Sequence, residues 1–434
     1  MDPVIVPRNM HIISRQNIDR DALKVLYRLL NHGYLAYLVG GSVRDLLLNR
    51  RPKDFDVVTD ARPQAIRSLF RNAFLIGRRF RLVHIRFSDK VIETSTFRQY
   101  PQDMNTDIDE EADPSDDLLM TRENAFGTPE EDACRRDFTV NALFYNIADF
   151  SVIDYVGGLH DLEARILRSI GDPCIRFQED PVRMIRAVRI AARIDFAICP
   201  DVLNAIQAYR HQILRCAPAR NLEELLQLLR HNAAEASIRM LHSTGLMETI
   251  LPEILPQWDN PEKAAAAGKI LHFLDMAPRQ SFPRTPSVML AALFHHQILE
   301  ATENLKSGED LRQRVESVIE PFAKRFHLPR RYFDRITQLC IGQRGFQPKK
   351  HKRFRPQALL KRNFFPETLA LASITLPLND DLWLDQRNTW KSRILSADMD
   401  AEEKDAMLRI LRMNPKGRKR RKRKPRNRNR DGAA

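Results

Sequence analysis

The first pattern along the chain is an amphipathic helix followed by a buried strand. Residues 21–31 carry apolar side chains at helical spacing, and His32-Gly33 ends the repeat. Residues 35–39 form a short apolar run suited to a buried strand. Gly40-Gly41 follows at once, and Ser42 is the expected N-cap of a helix that continues through Leu48. The pattern therefore predicts a helix, a strand, a glycine turn and a second helix in close succession.

The following residues continue as an α/β head. Apolar alternation predicts strands over 55–59, 82–87 and 91–97, and helical spacing predicts a helix over 63–70. Residues 101–133 show little periodicity and hold 12 Asp or Glu against the single base Arg122. A buried loop of that charge would leave many polar groups unsatisfied, so this segment is expected to be an exposed insertion.

Beyond Asp161 the spacing turns helical and stays so. Helices are predicted over 176–194, 221–231, 233–246 and 287–296, with the last ordered helix ending near Met413. The fold class expected is α+β: a small α/β head with a mixed sheet, then an all-helical neck and body. The expected domains are an N-terminal extension (1–20), the head (21–160, with the insertion 101–133), the neck (161–250), the body (251–413) and a disordered basic tail (414–434).

Composition narrows the class of protein. The chain has 434 residues, of which 43% are apolar and 29% charged, and no stretch approaches 18 uninterrupted apolar residues. Its first twenty residues lack the pattern of a secretory signal. The five cysteines are scattered, without a CxxC pair, which favours reduced thiols over disulfides or zinc ligands. These features predict a cytoplasmic protein without a membrane segment.

Charge is distributed unevenly along the chain. The net charge is +14, yet residues 416–430 alone contain 11 Lys or Arg and no acid, so the rest of the chain carries only about +3. A tail of this kind suits a polyanionic partner such as nucleic acid. A role in solubility alone is the alternative interpretation.

The glycine turn is the first candidate for chemistry. A strand that ends in Gly40-Gly41 and opens a helix brings bare N–H groups and a helix N-terminus to one point. Glycine also permits the close approach that a side chain would block. Arg44 lies in the first turn of that helix, where it can reach the same ligand. This arrangement indicates a phosphate site.

Two carboxylates follow closely. Asp54 and Asp56 are two residues apart on a predicted strand, so both face one side while Phe55 faces the core. Adjacent carboxylates repel each other unless a cation joins them, and Mg²⁺ is a natural partner beside a triphosphate. Glu93 on the strand 91–97 and Asp137 within RRDFT are candidates for a further carboxylate.

The segment LVGGSVRDLLLNRRPKDFDVVT (38–59) resembles the active-site signature of class II nucleotidyltransferases, which include bacterial poly(A) polymerases and CCA-adding enzymes. The similarity continues through ACRRDFTVNALFYN (133–146), DYVGGLHDLEARILRSIGDP (154–173) and RFQEDPVRMIRAVRIAAR (176–193), and it covers roughly residues 20–260. The resemblance implies that Asp54 and Asp56 bind two Mg²⁺ ions, with Mn²⁺ as a substitute, and that Asp137 belongs to the active site. It assigns nucleotide binding to Gly40, Gly41, Arg44, Arg136, Asp180, Arg183 and Arg186.

The segment EDPVRMIRAVR supports part of that assignment independently. On one predicted helix Arg183 and Arg186 are three residues apart, and Asp180 lies a turn earlier on nearly the same side. An Asp beside an Arg offers both an acceptor and a donor to a base edge. The alternative is a surface ion pair.

Other segments are similar to the poly(A) polymerase branch of the family. They are LIGRRFRLVHI (75–85), the insertion that ends in NAFGTPEED (124–132), and the basic tail. A basic patch at 347–355 adds positive charge and Phe354 for stacking. The candidate RNA-binding residues are Arg78, Arg79, Lys349, Lys350, Arg353, Arg418, Lys419, Arg420 and Arg421.

The predicted function is therefore template-independent addition of AMP from ATP to RNA 3′ ends, with release of pyrophosphate. A CCA- or A-adding tRNA nucleotidyltransferase is the near alternative. A non-catalytic RNA-binding protein on the same fold is the distant one, and the intact Asp54–Asp56 pair argues against it. RNA and ATP are the expected partners, together with RNA-decay proteins, and a monomer is expected.

Overall fold

The computed structural model describes residues 2–76, 82–88, 90–99, 126–303, 310–346, 356–376 and 380–412. The chain divides into two compact units: residues 1–216 with 243–249, and residues 217–242 with 250–434. The predicted RNA-binding residues Arg78, Arg79, Lys349, Lys350, Arg353 and 418–421 lie outside the described residues.

The first unit is built on an eight-stranded mixed sheet with the order β1-β8-β7-β2-β3-β6-β5-β4. Strand β3 pairs with β6 in parallel, and all other neighbours are antiparallel. The strands are β1 (Val4–Val6), β2 (Ala36–Val39), β3 (Asp56–Thr59), β4 (Ala73–Ile76), β5 (Leu82–Arg86), β6 (Val91–Thr96), β7 (Leu143–Asn146) and β8 (Val152–Asp154).

Alternating side chains give the sheet two apolar faces. Helices α1 (Arg20–Asn31), α2 (Gly41–Leu47) and α3 (Pro63–Leu69) contribute to one face, together with Leu38 and Val57. We call this the helix-covered face. Val39, Val58 and Phe144 belong to the other cluster, on what we call the opposite face. Because successive residues of a strand alternate, the face that a side chain occupies follows from its register.

The strands and helices predicted up to residue 97 are confirmed to within one or two residues, but Ser42 is not an N-cap. Helix α2 begins at Gly41, and its N-cap is Gly40 with φ +73°. Ser42 lies inside the first turn, and its hydroxyl donates to the carbonyl of Val39 at 2.9 Å. The left-handed conformation of Gly40 starts the helix earlier than a serine cap would. Strands β1, β4, β7 and β8 were not predicted.

The end of the acidic segment is ordered, in contrast to the expected exposed insertion. Phe126 forms a bridge with Arg98, and helix α4 (Pro129–Cys134) follows with a complete capping box between Thr128 and Glu131. Asp132 and Ala133 are buried. The earlier part of the segment, 100–125, lies outside the described residues.

The helix predicted over 176–194 is interrupted. Helix α6 (Pro173–Glu179) ends at Asp180, and helix α7 (Val182–Ile194) starts after Pro181. Proline disfavours helical geometry in the residue before it, and Asp180 has φ −149° and ψ 89°. The region is also not purely helical, since helix α5 (Gly158–Ala164) leads into strand β9 (Ile166–Leu167), which pairs in parallel with β10 (Ala197–Ile198).

The remaining elements are helical. No helix in the described part of the chain is long and apolar enough to cross a membrane. The α+β class with a mixed-sheet head followed by helices is confirmed. The later helices are α8 (Pro200–Tyr209), α9 (Pro218–Arg230), α10 (Ala234–Ser243), α11 (Leu246–Ile250), α12 (Leu255–Trp258), α13 (Pro261–Met276), α14 (Pro286–Leu293), α15 (His295–Glu303), α16 (Leu311–Arg325), α17 (Arg330–Gly342), α18 (Pro356–Leu360), α19 (Phe365–Thr375), α20 (Asp380–Ser396) and α21 (Ala401–Leu411).

Candidate active site

The turn between β2 and α2 brings three predicted site residues together. Gly40 adopts φ +73° and ψ −139°, which an L side chain rarely adopts. A Cβ at this position would lie 3.5 Å from Nη1 of Arg136 and 4.0 Å from Oδ2 of Asp56. The backbone of Gly40 is thus flanked by one guanidinium and one carboxylate, as expected for a site that holds a phosphate and a cation.

Asp56 is the first residue of β3 and pairs with Val39, so its side chain lies on the opposite face of the sheet. Phe55 packs into the cluster on the helix-covered face, which confirms that Phe55 and Asp56 face opposite sides. Burial raises the pKa of Asp56 to about 6, and the charges of Glu93 and Asp54 add to this while Arg136 opposes it. A negative charge at Asp56 is therefore disfavoured unless a cation balances it.

Glu93 lies on β6, the parallel neighbour of β3, and the register places its side chain on the face of Asp56. It is about half exposed, and its Oε1 is 3.7 Å from Nε2 of His84. Asp54 lies just before β3, is 70% exposed and contacts Lys53 at 3.2 Å. Among the described residues, no group of three or more His, Cys, Asp or Glu side chains is arranged to hold a metal ion.

Arg44 is buried and already engaged. Its Nε and Nη2 donate to Oδ1 of Asp45 at 2.9 and 2.6 Å, and its Nη1 donates to Oδ1 of Asn141 at 2.6 Å. The guanidinium also lies against Gly41. Oδ2 of Asp45 accepts from Nη2 of Arg193 on α7 at 2.6 Å. Asp45 thus joins α2 to α7, and Arg44 packs against the glycine turn.

Asp137 forms a part-buried ion pair with Arg186 of α7, whose side chain is 33% exposed. Its Oδ2 accepts from Nε and Nη2 of Arg186 at 2.9 and 2.6 Å, while Oδ1 accepts from the N–H of Phe138 and from Asn141. Burial raises the pKa of Asp137, but the charge and hydrogen bonds of Arg186 outweigh it and hold the pKa at about 2. The geometry therefore favours a positioning role for Asp137, since both oxygens are already occupied.

The residues expected to select the base are separated by the break at Pro181. Nη1 of Arg183 donates to Oε2 of Glu179 at 2.8 Å and to the carbonyl of Arg176 at 2.9 Å. Asp180 is part-exposed and lies in the connection between α6 and α7. Asp180 and Arg183 therefore do not lie on one continuous helix as predicted, and Nη1 of Arg183 is linked to the end of α6.

Arg136 belongs to a group of arginines around Asp132. Its Nε and Nη2 donate to Oδ2 of Asp132 at 3.1 and 2.7 Å, and the N–H of Arg98 donates to Oδ1. Nη2 of Arg176 donates to the carbonyls of Arg135 and Arg136. Burial lowers the pKa of Arg135 to about 10, and the neighbouring Arg98 charge contributes. This excess of positive charge next to Asp56 suits a polyphosphate.

Several residues at the site were not singled out from the sequence. Asp45 and Asn141 lie within the motifs LVGGSVRD and RRDFTVNALFYN, so a closer reading of those motifs could have found them. Arg193 is 148 residues from Asp45, and nothing local marks it as the partner. Asp132 was counted only as part of the acidic segment.

Two family models match the chain. Residues 36–168 match the poly A polymerase head domain, and residues 195–257 match a probable RNA and SrmB-binding site of polymerase A. The first match contains the glycine turn, Asp54, Asp56, Arg136 and Asp137.

Relatives that align over most of their length show the family to which the chain belongs. Poly(A) polymerase I of Salmonella typhi is 38% identical over 369 residues, which cover 81% of this chain and 79% of the relative. Poly(A) polymerase I of Escherichia coli O157:H7 is 37% identical over 370 residues with the same coverage. The chain belongs to the poly(A) polymerase family. It is thus a nucleotidyltransferase of the poly(A) polymerase and CCA-adding superfamily.

The CCA-adding branch is similar over a shorter span. The CCA-adding enzyme of Bacillus pumilus is 36% identical over 230 residues, or 53% of this chain and 54% of the relative. A crystal structure of the Bacillus stearothermophilus CCA-adding enzyme in complex with CTP aligns with a TM-score of 0.59 at 23% identity, covering 91% of both chains. At this identity the likeness establishes a shared fold, and the poly(A) polymerase family is distinguished by sequence.

Proposed function

We propose that the chain adds AMP from ATP to the 3′-hydroxyl of RNA without a template and releases pyrophosphate. The observation that carries this proposal is the extent of the similarity to poly(A) polymerase I, which is 37–38% identical over 81% of this chain. The similarity to the CCA-adding relative covers only 53% of this chain. A shared activity is expected where the similarity includes the helical unit as well as the head.

Asp54 and Asp56 are the proposed ligands of two divalent cations, Mg²⁺ or Mn²⁺. Asp56 fits such a role because its own surroundings disfavour an unbalanced negative charge. Mg²⁺ commonly binds through one or two carboxylates and completes its coordination with substrate phosphates and water, so a third protein carboxylate is not required. When bound, the cations lower the pKa of the attacking hydroxyl and neutralise charge on the triphosphate.

The other residues bind and orient the substrates. Gly40 and Gly41 let the triphosphate approach the backbone, and Arg136 contributes a charged donor beside Asp56. Arg44, held by Asp45 and Asn141, keeps the glycine turn in its observed conformation. Glu93 adds negative charge on the face of Asp56, which favours cation binding. Asp137 holds Arg186 in place on α7.

Base selection is proposed for the α6–α7 connection. Asp180 offers an acceptor, and Arg183, anchored to Glu179, offers the N–H donors that its ion pair leaves available. The two groups differ in hydrogen-bonding sense, as needed to distinguish adenine from cytosine without a template. Arg186 contributes from the next turn of α7.

The direct test is incorporation from each single nucleoside triphosphate with Mg²⁺, onto an unstructured RNA and onto a tRNA that lacks its CCA end. Long products from ATP alone on both RNAs are expected. Addition that stops after one to three residues, and only on the tRNA, would establish the CCA- or A-adding alternative instead. An Asp54→Asn variant is the control for chemistry, and it should bind RNA while adding nothing.

Other properties of the chain remain predictions. We expect a cytoplasmic monomer that acts with RNA-decay proteins, and we expect the domain boundaries at residues 20, 160, 250 and 413. The reduced state of the five cysteines also remains a prediction. The match of residues 195–257 to a probable RNA and SrmB-binding site supports an RNA-binding role for that region.

A further inference from the structure

A concave basic surface lies on the first unit, formed by the N-terminal extension and the start of α1. The cavity has a volume of about 750 Å³, and its polar lining consists of Arg8, Ser14, Arg15, Gln16 and Arg20. We call it the N-terminal groove. Among the described residues that line it there is no Asp or Glu, so three guanidinium groups share one recess without a carboxylate.

Two of the three arginines, Arg8 and Arg15, are held in place by one hydrogen bond each and keep further N–H donors. Nη1 of Arg15 donates to the hydroxyl of Tyr27 at 2.8 Å, and its guanidinium lies 4.4 Å above the ring of Phe150. Nη1 of Arg8 donates to the carbonyl of His11 at 3.1 Å. A guanidinium has five N–H donors, so each keeps most of them for a ligand. Planar, pre-positioned guanidinium groups suit the oxygens of a phosphate.

The nearest acidic residues in sequence are engaged elsewhere. Asp19 caps α1 and contacts Nζ of Lys90 at 2.6 Å. Asp21 contacts Lys24 at 2.7 Å and Lys90 at 3.1 Å. These carboxylates are therefore balanced by lysines, and Asp149, next to Phe150, accepts from the N–H and the hydroxyl of Ser151. Among the residues that line the groove, no carboxylate compensates Arg8, Arg15 and Arg20.

A buried hydroxyl lies next to the same arginines. Tyr145 is fully buried, and its hydroxyl has no hydrogen-bond partner among the described residues. Burial raises the pKa of Tyr145, and the nearby charges of Arg8 and Arg15 oppose that rise. A polar atom buried without a partner costs free energy, but Tyr145 does not line the groove and offers no contact to a ligand there.

The groove is separate from the candidate active site. Ile18 and Leu23 line it, and Ile18, Leu23 and Phe150 all belong to the cluster on the helix-covered face. Asp56 lies on the opposite face of the same sheet. A polynucleotide must therefore extend well past its 3′ end to reach both places.

We propose that the N-terminal groove binds backbone phosphates of an RNA whose 3′ end occupies the active site. The proposal rests on the proposed RNA substrate for the choice of ligand. Sequence-independent contacts to phosphates suit an enzyme that accepts many 3′ ends, and they act through charge and N–H donors rather than through base edges. The groove thus favours long RNA over short oligonucleotides.

The test compares Arg8→Gln/Arg15→Gln/Arg20→Gln with a control of equal charge change, Arg67→Gln/Arg71→Gln/Arg86→Gln, whose exposed arginines lie outside the groove. Affinity for oligoadenylate is measured on the full chain without metal or ATP, over a range of salt concentrations. For a long oligoadenylate the groove variant should lose about 2 from the slope of log K against log salt, at about 0.7 per phosphate contact.

An oligoadenylate of about four nucleotides should show a smaller difference between the two variants, because it cannot occupy the active site and the groove at once. A groove variant whose slope with the long RNA equals that of the control would overturn the proposal. Thermal melting of both variants checks that each remains folded. Because binding is measured without ATP, the result does not depend on the proposed chemistry. A chain that binds RNA through the groove but adds no AMP would refute only the proposed function.

Discussion

At the scale of single residues, the carboxylates of Asp56 and Asp137 lie in the same head domain but have pKa values shifted in opposite directions. Asp56 is partly buried, and burial together with the nearby charges of Glu93 and Asp54 raises its pKa to about 6. Asp137 is buried against Arg186, which holds its pKa at about 2. Arg136 only partly offsets the negative charge around the first carboxylate, whereas Arg186 forms a direct ion pair with the second. This difference supports metal binding by Asp56 and positioning by Asp137.

The first prediction concerns stability without metal. The raised pKa of Asp56 means that the folded protein binds more protons than the unfolded chain between pH about 4 and about 6, so the free energy of unfolding falls as pH rises through that window. Asp56→Asn should therefore be more stable than the parent chain at pH 8 by about 1–3 kcal/mol, and equal to it near pH 4. Urea unfolding in EDTA measures this difference.

Magnesium provides the matching measurement. Mg²⁺ should raise the melting temperature of the parent chain at pH 8 but leave Asp56→Asn nearly unchanged, because the balancing role of the ion is lost. An equal increase for both proteins would place the ion elsewhere and contradict the assignment of Asp56.

The second prediction concerns Asp137. Its lowered pKa stabilises the fold above pH about 4, and this contribution is lost as pH falls from about 4 to about 2. Asp137→Asn should lower the free energy of unfolding at pH 7 by about 2–3 kcal/mol, because Arg186 is left without its carboxylate. Denaturant unfolding at pH 7 checks the loss, with exposed Asp201→Asn as the matched control. A loss no larger than the control would mean that the ion pair contributes little.

At the scale of elements, the break between α6 and α7 determines how the predicted base-selecting residues are presented. Pro181 ends the helical pattern one residue after Asp180, and Arg183 turns back to Glu179. Helix α7 is then tied to the head by Arg186–Asp137 and Arg193–Asp45. These contacts hold the α6–α7 connection in one conformation. A fixed conformation suits side chains that are proposed to select the base without a nucleic-acid template.

The third prediction follows from that break. Pro181→Ala removes the restriction on Asp180 and allows α6 and α7 to join, which would reorient Asp180 and Arg183. The preference for ATP over CTP should fall by about tenfold, or about 1.4 kcal/mol, with a smaller effect on total turnover. Single-turnover incorporation of each nucleotide measures the preference. Pro200→Ala, at the first turn of α8, is the control and should leave it unchanged.

At the scale of the whole molecule, positive charge is concentrated in places suited to a long polyanion. The basic tail carries 11 of the 70 Lys and Arg within 15 residues, and the remaining net charge is small. The N-terminal groove and the arginines around Asp132 add local excess within the first unit. Specificity for adenine and attraction to RNA are thus expected to reside in different residues.

The fourth prediction separates these contributions. Removal of residues 416–434 should weaken RNA binding and reduce its salt dependence, because up to 11 cationic contacts are lost. The preference for ATP over CTP at saturating RNA should not change. Affinity across salt concentrations and nucleotide preference are measured on the same preparation. A changed nucleotide preference would show that the tail acts on the active site rather than through attraction to RNA.

Much of the head could be predicted from the sequence because its signals are local. The strand, the two glycines and the pair Asp54–Asp56 lie within twenty-two residues, and alternation alone places Phe55 opposite Asp56. The same local patterns predicted α1, β3 and α3. The prediction that Ser42 caps α2 was wrong. Both a serine and a glycine with positive φ can precede a helix, and only the backbone conformation of Gly40 shows that it is the N-cap.

Tertiary structure decided the partners of the charged residues. Asp45 and Arg193 are 148 residues apart, and Asp137 and Arg186 are 49 apart, so no spacing rule connects them. Burial likewise raises the pKa of Asp56 and lowers that of Arg135, and burial depends on what packs over a residue. The sequence by itself therefore determined which chemical groups are available and their local order, whereas long-range packing determined which of them are neutralised and which remain for substrate.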